Sequence, residues 1–156
     1  MIALGFCSGS TVTAEFVRSL TSLYAARPDL PQRTIHIIGG PDIADSRNLL
    51  VRTFLTLDAD RLLMVDTDIV FTPDDVDRLL AVDAAVALGV YLNANGVLVV
   101  NGAGFMAIDR SVLEGREGWF DHEPGLGEDI SFLRRVEYVV DESIRVGHVK
   151  PVVLRP

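Results

Sequence analysis

Short apolar runs and amphipathic segments alternate along the first ninety residues of this chain. The apolar runs predict four β-strands, over residues 2–6, 34–38, 62–65 and 84–91. Apolar residues at helical spacing predict helices over residues 13–26, 46–57 and 73–81, with Asp45 as the N-cap of the second helix and Thr72 as that of the third. Strands that alternate with helices are typical of an α/β fold with a largely parallel sheet.

The second half of the chain has shorter elements. Its pattern predicts strands over residues 97–100, 104–108, 138–140 and 144–146, short helices over 110–114 and 128–135, and a turn-rich loop over 118–127. No Pro-, Gly- or Ser-rich linker divides the chain. We therefore predict a single domain over residues 1–156.

Composition and charge exclude several classes of protein. Apolar residues make up 49% of the chain, which excludes disorder as its dominant state. The net charge is −8, so sequence-independent binding to nucleic acid or to an anionic membrane is not expected. Cys7 is the only cysteine, which excludes an internal disulfide. The sequence has no signal-peptide pattern and no apolar stretch of about 20 residues, so we expect a cytoplasmic protein without a membrane span.

The clearest candidate chemistry follows the third predicted strand. The apolar run that ends at Val65 leads directly into Asp66 and Asp68. The carboxyl edge of a parallel sheet is where α/β proteins bind ligands, and strand alternation would send both carboxylates to the same side. Oxygen ligands of this kind favour Mg²⁺ or Mn²⁺ shared with substrate phosphates. The alternative is a pair of solvated acids at a strand end.

Other phosphate-handling enzymes fit the chain less well. Residues 62–70 also resemble haloacid-dehalogenase-type phosphatases, a resemblance that implies a downstream lysine followed by another acidic pair. Lys150 is the only lysine, and no acidic residue follows it. The chain has neither a Gly-x-Gly-x-x-Gly nor a Gly-x-x-x-x-Gly-Lys loop, which disfavours dinucleotide oxidoreductases and P-loop enzymes.

Four segments, taken in chain order, carry a more extensive resemblance. They are residues 44–48 with the Asp-x-Asp strand end that follows, the Gly-x-Gly-Phe segment 101–110, the Glu-Asp segment 127–132 and the Gly-His segment 146–148. In this order they resemble the nucleotide-sugar glycosyltransferases of the GT-A fold, family 2-like, in a minimal-length form. The resemblance implies one GT-A-like, Rossmann-like α/β domain whose mixed, mostly parallel sheet is flanked by helices. Its nucleotide-binding half would be about residues 1–92 and its acceptor-side half about 93–150.

The resemblance also implies roles for particular side chains. The nucleotide-sugar donor would be bound by Cys7, Ser8, Arg47, Asn48, Asp66 and Thr67, and the acceptor by Gly104, Trp119 and His122. Asp66, Asp68 and His148 would hold Mn²⁺ or Mg²⁺, which would stabilise negative charge on the β-phosphate as the sugar leaves. Asp129 would take the proton of the acceptor hydroxyl, and Glu128 would bind or orient the acceptor.

Most of these residues also have a plainer alternative. The alternatives are a solvated charge at Arg47, a helix cap at Asn48, helix-dipole acids at Glu128 and Asp129, and loop anchors at Trp119 and Phe120. His36 lies within a strand of Ile residues, and we expect it to be a core histidine.

Two departures from the family affect the functional prediction. The connection at residues 93–96 is short, and the first loop lacks the Pro and acidic residue that hold the nucleotide base. We therefore expect a metal-dependent glycosyltransferase that uses a UDP- or GDP-sugar and an unknown acceptor, with the acceptor side completed by a second copy or another protein. The alternatives are a sugar-phosphate nucleotidyltransferase and a nucleotide-sugar- or metal-binding module without turnover.

Overall fold

A seven-stranded sheet forms the centre of the structure, a computed structural model that describes residues 1–40, 42–93 and 95–149. The strands are β1 Ile2–Ser8, β2 Thr34–Ile38, β3 Arg61–Val65, β4 Ile69–Val70, β5 Val86–Leu92, β6 Leu98–Val99, β7 Phe105–Asp109, β8 Val139–Arg145 and β9 Gly147–His148. The helices are α1 Ala14–Ala26, α2 Ile43–Leu55, α3 Pro73–Ala81, α4 Arg110–Leu113 and α5 Glu128–Leu133, with a 3₁₀ helix at Leu30–Arg33. Ala94, in the predicted short connection, and Lys150 lie outside the described residues. No helix within the described ranges is long and apolar enough to cross a membrane.

The sheet is mixed, and most of its strands are parallel. Its order is β2-β1-β3-β7-β5, with β6 and β8 both paired to β5. Strand β1 is parallel to β2 and β3, and β8 is parallel to β5, whereas β7 runs antiparallel between β3 and β5. Five strands, β1, β2, β3, β5 and β8, therefore run in one direction. The predicted mixed, mostly parallel sheet flanked by helices is confirmed.

Strand β3 is buried on both faces, as its unbroken apolar run predicts. Met64 packs in the apolar cluster that contains Phe54 of α2, and its neighbour Val65 packs in the cluster that contains Phe16 of α1. Successive side chains of a strand point to opposite faces, so helices are needed on both sides of the sheet. This arrangement leaves only the ends of the strands open to a ligand.

Helix α2 begins one turn earlier than the pattern predicts. Its N-cap is Asp42, whose side chain accepts a hydrogen bond from the amide of Ala44 at 2.8 Å, so the prediction of Asp45 as the N-cap is wrong. Asp45 lies in the first turn, where a carboxylate also stabilises the helix dipole. The earlier start places Arg47 and Asn48 inside the helix rather than at its first positions.

The C-terminal strands also differ from their prediction. Residues 138–140 and 144–146 were predicted as two strands, but β8 is one strand over Val139–Arg145. Strands β4 and β9, of two residues each, form a small antiparallel ladder that pairs Ile69 with His148. Strands this short have no readable periodicity, which is why the pattern does not predict them. The ladder brings the end of the described chain back to the end of β3.

Candidate functional site

Most of the predicted site residues lie at or near one edge of the sheet. Strands β1, β3 and β5 end there, and the antiparallel β7 begins there. The amide of Asp66, just after β3, donates a hydrogen bond to the carbonyl of Gly104, just before β7, at 2.9 Å. The Asp-x-Asp and Gly-x-Gly segments are therefore adjacent. This is the edge at which α/β folds bind ligands.

Arg47 is the centre of a buried group of charges at this edge. Its side chain projects from α2, is 5% exposed, and donates hydrogen bonds to Asp66, at 2.8 Å, and to Glu128. Its guanidinium also lies 5.8 Å from the centre of the Phe120 ring. Burial opposes the charge, but Asp66 and Glu128 outweigh it and raise the pKa of Arg47 above its ordinary value. The alternative of a solvated surface charge at Arg47 is wrong.

Asn48 fixes the loop of residues 118–127 to α2. Its amide nitrogen donates to the carbonyl of Phe120 at 2.9 Å, and its side-chain oxygen accepts from the amide of Phe120 at 3.0 Å. Both polar atoms of the side chain thus bond across 72 residues of sequence, and the alternative of a helix cap is wrong. The donor contact of Asn48 stays a prediction, and the contacts seen here are those of a loop anchor.

Trp119 and Phe120 are core residues. Trp119 is 5% exposed and its indole N–H donates to the carbonyl of Leu113 at 2.9 Å, while Phe120 is fully buried and stacks on Phe132. Of the two alternatives for this pair, the structure favours anchoring of the loop. Neither ring presents a face to a bound sugar in this arrangement.

The two Asp-x-Asp carboxylates have different partners. The prediction that strand alternation sends both carboxylates to one side assumed that the backbone stays extended through Asp68. Strand β3 instead ends at Val65, and the amide of Ile69 donates to the carbonyl of Asp66 at 3.1 Å, which closes a turn. This turn directs Asp66 to Arg47 and Asp68 to His148. Within the described residues, no three His, Cys, Asp or Glu side chains are grouped so that they could hold a metal ion.

Asp68 and His148 lie in contact although 80 positions separate them in sequence. The Nε2 atom of His148 is 3.0 Å from Oδ2 of Asp68, which confirms that the two residues are close in space. The Nδ1 atom faces the carbonyl of Leu92 at 2.8 Å, so Nδ1 carries a proton. In a neutral ring Nε2 is then an acceptor that faces a carboxylate, which is also an acceptor. A cation shared by Nε2 and the carboxylate would suit this contact, and a histidine whose other N–H donates to a backbone carbonyl is typical of a metal ligand.

Three predicted donor residues line a small cavity at the ends of β1 and β2. The cavity has a volume of about 160 Å³, and Cys7, Ser8 and Thr67 are among its lining residues. Burial raises the pKa of the Cys7 thiol to about 11, so this side chain is uncharged near neutral pH. A larger cleft, of about 560 Å³ and lined by residues 83–85 and 136–139, holds none of the predicted site residues.

The prediction that His36 is a core histidine is wrong. Its ring is exposed, stacks on Phe6 with 4.5 Å between ring centres, and its Nε2 lies 2.7 Å from the hydroxyl of Ser8. Strand β2 is an edge strand, so only part of its surface is covered by the fold. His36 therefore lies beside the cavity that Ser8 lines.

His122, a predicted acceptor contact, is exposed and pairs with the N-cap of α2. Its Nε2 lies 3.0 Å from Oδ1 of Asp42. The hydrogen bond to Asp42 raises the pKa of His122, and the same bond lowers the pKa of Asp42. If His122 contacts the acceptor, it does so with a ring that is already bonded to Asp42 at the start of α2.

This pair gives a pH prediction. We expect NMR titration of the ring protons to give His122 a pKa above the ordinary value of about 6.5, and the Asp42→Asn variant to return it toward that value. Because folding raises the pKa of His122, any stability that the pair adds is fully present below about pH 6.5 and is lost as the pH rises through the folded-state pKa. Identical titration curves for the two proteins would show that the pair does not form in solution.

Comparison with known proteins identifies the fold and no family. No protein-family model matches the chain, and no curated protein matches it. Among solved structures, A197 from STIV is 18% identical with a TM-score of 0.74, and the match covers 96% of this chain and 86% of that one.

Two further structures of similar fold are enzymes by name. A glycosyltransferase involved in the glycosylation of the major capsid of PBCV-1 is 10% identical, with a TM-score of 0.55 over 90% of this chain and 82% of that one. The inositol-1-phosphate CTP transferase from T. maritima is 12% identical, with a TM-score of 0.55 over 95% of this chain and 88% of that one. The chain thus has the fold shared by nucleotide-diphospho-sugar transferases and nucleotidyltransferases.

Proposed function

We propose that this protein is a metal-dependent glycosyltransferase of the GT-A type, family 2-like, that transfers a sugar from a UDP- or GDP-sugar to an acceptor. The observation that carries the proposal is the convergence of distant segments at one sheet edge. Arg47 bonds both Asp66 and Glu128, and Glu128 is 81 positions from Arg47 in sequence. Asp68, two residues after Asp66, is in contact with His148. These are the segments to which the family resemblance assigns the donor, the metal ion and the acceptor.

The pair of Asp68 and His148 suits Mn²⁺ or Mg²⁺. Two neighbouring ligands of an octahedral ion are about 3 Å apart when each bond is about 2.1 Å long, and Nε2 and Oδ2 are 3.0 Å apart. Ions of this kind are often held by one or two protein side chains together with substrate phosphates. The ion would supply positive charge for the leaving diphosphate. Asp66 would then contribute through its ion pair with Arg47 rather than as a ligand.

The roles of the two acids at the start of α5 separate in this proposal. Glu128 forms an ion pair with Arg47, so its carboxylate already has a partner within the protein. Asp129 is partly exposed, and the contact found for it is between Oδ1 and the amide of Ile130 at 2.8 Å. Asp129 is therefore the better candidate for taking the proton of an acceptor hydroxyl. An acceptor side completed by another copy or protein remains part of the proposal.

A sugar-phosphate nucleotidyltransferase is the second candidate, because the fold matches the CTP transferase as well as it matches the capsid glycosyltransferase. The loop at residues 9–13, between β1 and α1, has no Arg or Lys, whereas such enzymes use basic residues there against the triphosphate. The products separate the two activities. A glycosyltransferase releases a nucleoside diphosphate, and a nucleotidyltransferase releases pyrophosphate.

The proposal predicts a Mn²⁺-dependent increase in thermal stability with UDP or GDP. A nucleotide present at 100 times its Kd stabilises a protein by about 2.7 kcal/mol. We expect Asp68→Asn to abolish the Mn²⁺-dependent part of this shift while the protein stays folded, because Asp68 lies in a turn rather than in the core. Differential scanning fluorimetry of both proteins, with each nucleotide and with or without Mn²⁺, makes the measurement.

Asp83→Asn is a matched control for this experiment, because Asp83 is an exposed acid on the larger cleft that lacks the predicted site residues. It should leave the Mn²⁺-dependent shift unchanged. An Asp68→Asn protein with wild-type Mn²⁺ dependence would rule out the metal assignment. Slow release of UDP or GDP from a nucleotide-sugar, with water as the acceptor, would separate an enzyme from a module that only binds.

A further inference from the structure

Tyr91, at the carboxyl end of β5, is packed into the Gly-x-Gly segment. A Cβ atom on Gly102 would lie 2.2 Å from the Tyr91 hydroxyl oxygen, and a Cβ on Gly104 would lie 2.9 Å from its ring. Both glycines are therefore needed to make room for this one side chain.

The surroundings of Tyr91 are members of the candidate site. Its ring meets that of His148 edge to face, with 5.1 Å between ring centres. A tyrosine hydroxyl has an ordinary pKa of about 10, so it is protonated near neutral pH. Its O–H is therefore a donor that can serve another group.

The order of groups in a glycosyl transfer suggests a binding partner for the Tyr91 O–H. The transferred sugar must lie between the leaving diphosphate and the incoming acceptor hydroxyl. In the proposed function, the diphosphate lies at Asp68 and His148 and the acceptor hydroxyl lies at Asp129. Tyr91 packs against His148 and against Gly104, whose carbonyl accepts the amide of Asp66, so its hydroxyl lies beside the place that the diphosphate and its attached sugar would occupy.

We propose that Tyr91 binds the transferred sugar of the nucleotide-sugar, by donating a hydrogen bond from its hydroxyl to a sugar oxygen. This inference rests on the proposed function and adds a residue to it. This role differs from a packing role. If Tyr91 only packed against the two glycines, its hydroxyl would not affect the affinity for the nucleotide-sugar more than the affinity for the nucleoside diphosphate.

The test compares two ligands on the Tyr91→Phe variant. Isothermal titration with Mn²⁺ present measures the affinity of UDP and UDP-glucose, and of GDP and GDP-mannose, for each protein. Phenylalanine keeps the ring, so nucleoside diphosphate affinity should match the wild type. Affinity for the nucleotide-sugar should fall by about 3- to 10-fold, which is the usual range for one hydrogen bond.

Tyr24→Phe is the matched control, because it removes a hydroxyl that bonds Thr34 at 2.9 Å, with no predicted site residue involved. It should alter neither affinity. Equal affinities of wild type and Tyr91→Phe for the nucleotide-sugar would overturn the inference and leave the proposed function standing. An equal loss for both ligands would also overturn it, since that is the result of a structural role. A wild-type protein that binds none of the four ligands would overturn the proposed function and this inference with it.

A second measurement checks the geometry even if Tyr91→Phe is poorly folded for binding studies. Gly102→Ala should lower the melting temperature of the wild type, because the new methyl group meets the hydroxyl. The same substitution should cost less in the Tyr91→Phe background, where the nearest remaining contacts are 3.0 Å or longer. An equal cost in both backgrounds would show that the Tyr91 hydroxyl does not lie against Gly102, and would overturn the inference.

Discussion

Replacement of Arg47 by alanine is expected to lower the free energy of unfolding by about 3–5 kcal/mol, the range found when one partner of a buried ion pair is removed. The side chain is 5% exposed and bonds two carboxylates, Asp66 and Glu128. Without it, both negative charges stay at a partly buried edge with no cation to balance them. Urea unfolding monitored by circular dichroism measures the loss.

Arg27→Ala is the control for this prediction. Arg27 pairs with Asp77 on the surface, where such a pair contributes about 1 kcal/mol or less. The double variant Arg47→Ala with Glu128→Gln should recover part of the stability, because it removes one of the uncompensated charges. If Arg47→Ala costs no more than Arg27→Ala, the two carboxylates are solvated in the folded protein and the buried cluster does not hold.

The main elements of the fold were predictable because they are buried. Strand β3 is an unbroken apolar run with helices on both faces, and α3 has a capping box at Thr72 and Asp75 followed by an amphipathic face. The start of α2 was misplaced because both Asp42 and Asp45 are chemically suitable caps, and only the backbone decides between them. The β4–β9 ladder has too few residues for any period.

The proximity of several predicted site residues was more predictable than their contacts. The resemblance placed Asp68 and His148 together, and the ladder brings them within 3.0 Å. The link from Arg47 to Glu128 joins residues 81 positions apart, and no local pattern carries such a pairing. Tyr91, to which we assign the transferred sugar, was not singled out in the sequence because it lies at the end of an apolar run and resembles any other strand residue. The two glycines that accommodate it were the available signal.

The two acids at the start of α5, Glu128 and Asp129, are expected to differ in what their substitution changes. Glu128 neutralises part of the Arg47 charge, so Glu128→Gln should lower stability and have a smaller effect on catalysis. Asp129 has no ion pair of this kind among the contacts of the described residues. The pair Glu128→Gln and Asp129→Asn thus forms its own control, with one variant affecting mainly folding and the other mainly the reaction.

Asp129→Asn is expected to reduce the rate of sugar transfer by about 10²- to 10⁴-fold, the usual contribution of a general base. A base acts on the acceptor proton, so Mn²⁺-dependent affinity for UDP or GDP should stay close to that of the wild type. Asparagine keeps the size of the side chain and can still accept the bond from Ile130, so the fold should survive. Release of the nucleoside diphosphate, with an acceptor or with water, measures the rate. Wild-type turnover at matched donor affinity would mean that Asp129 only stabilises the start of its helix.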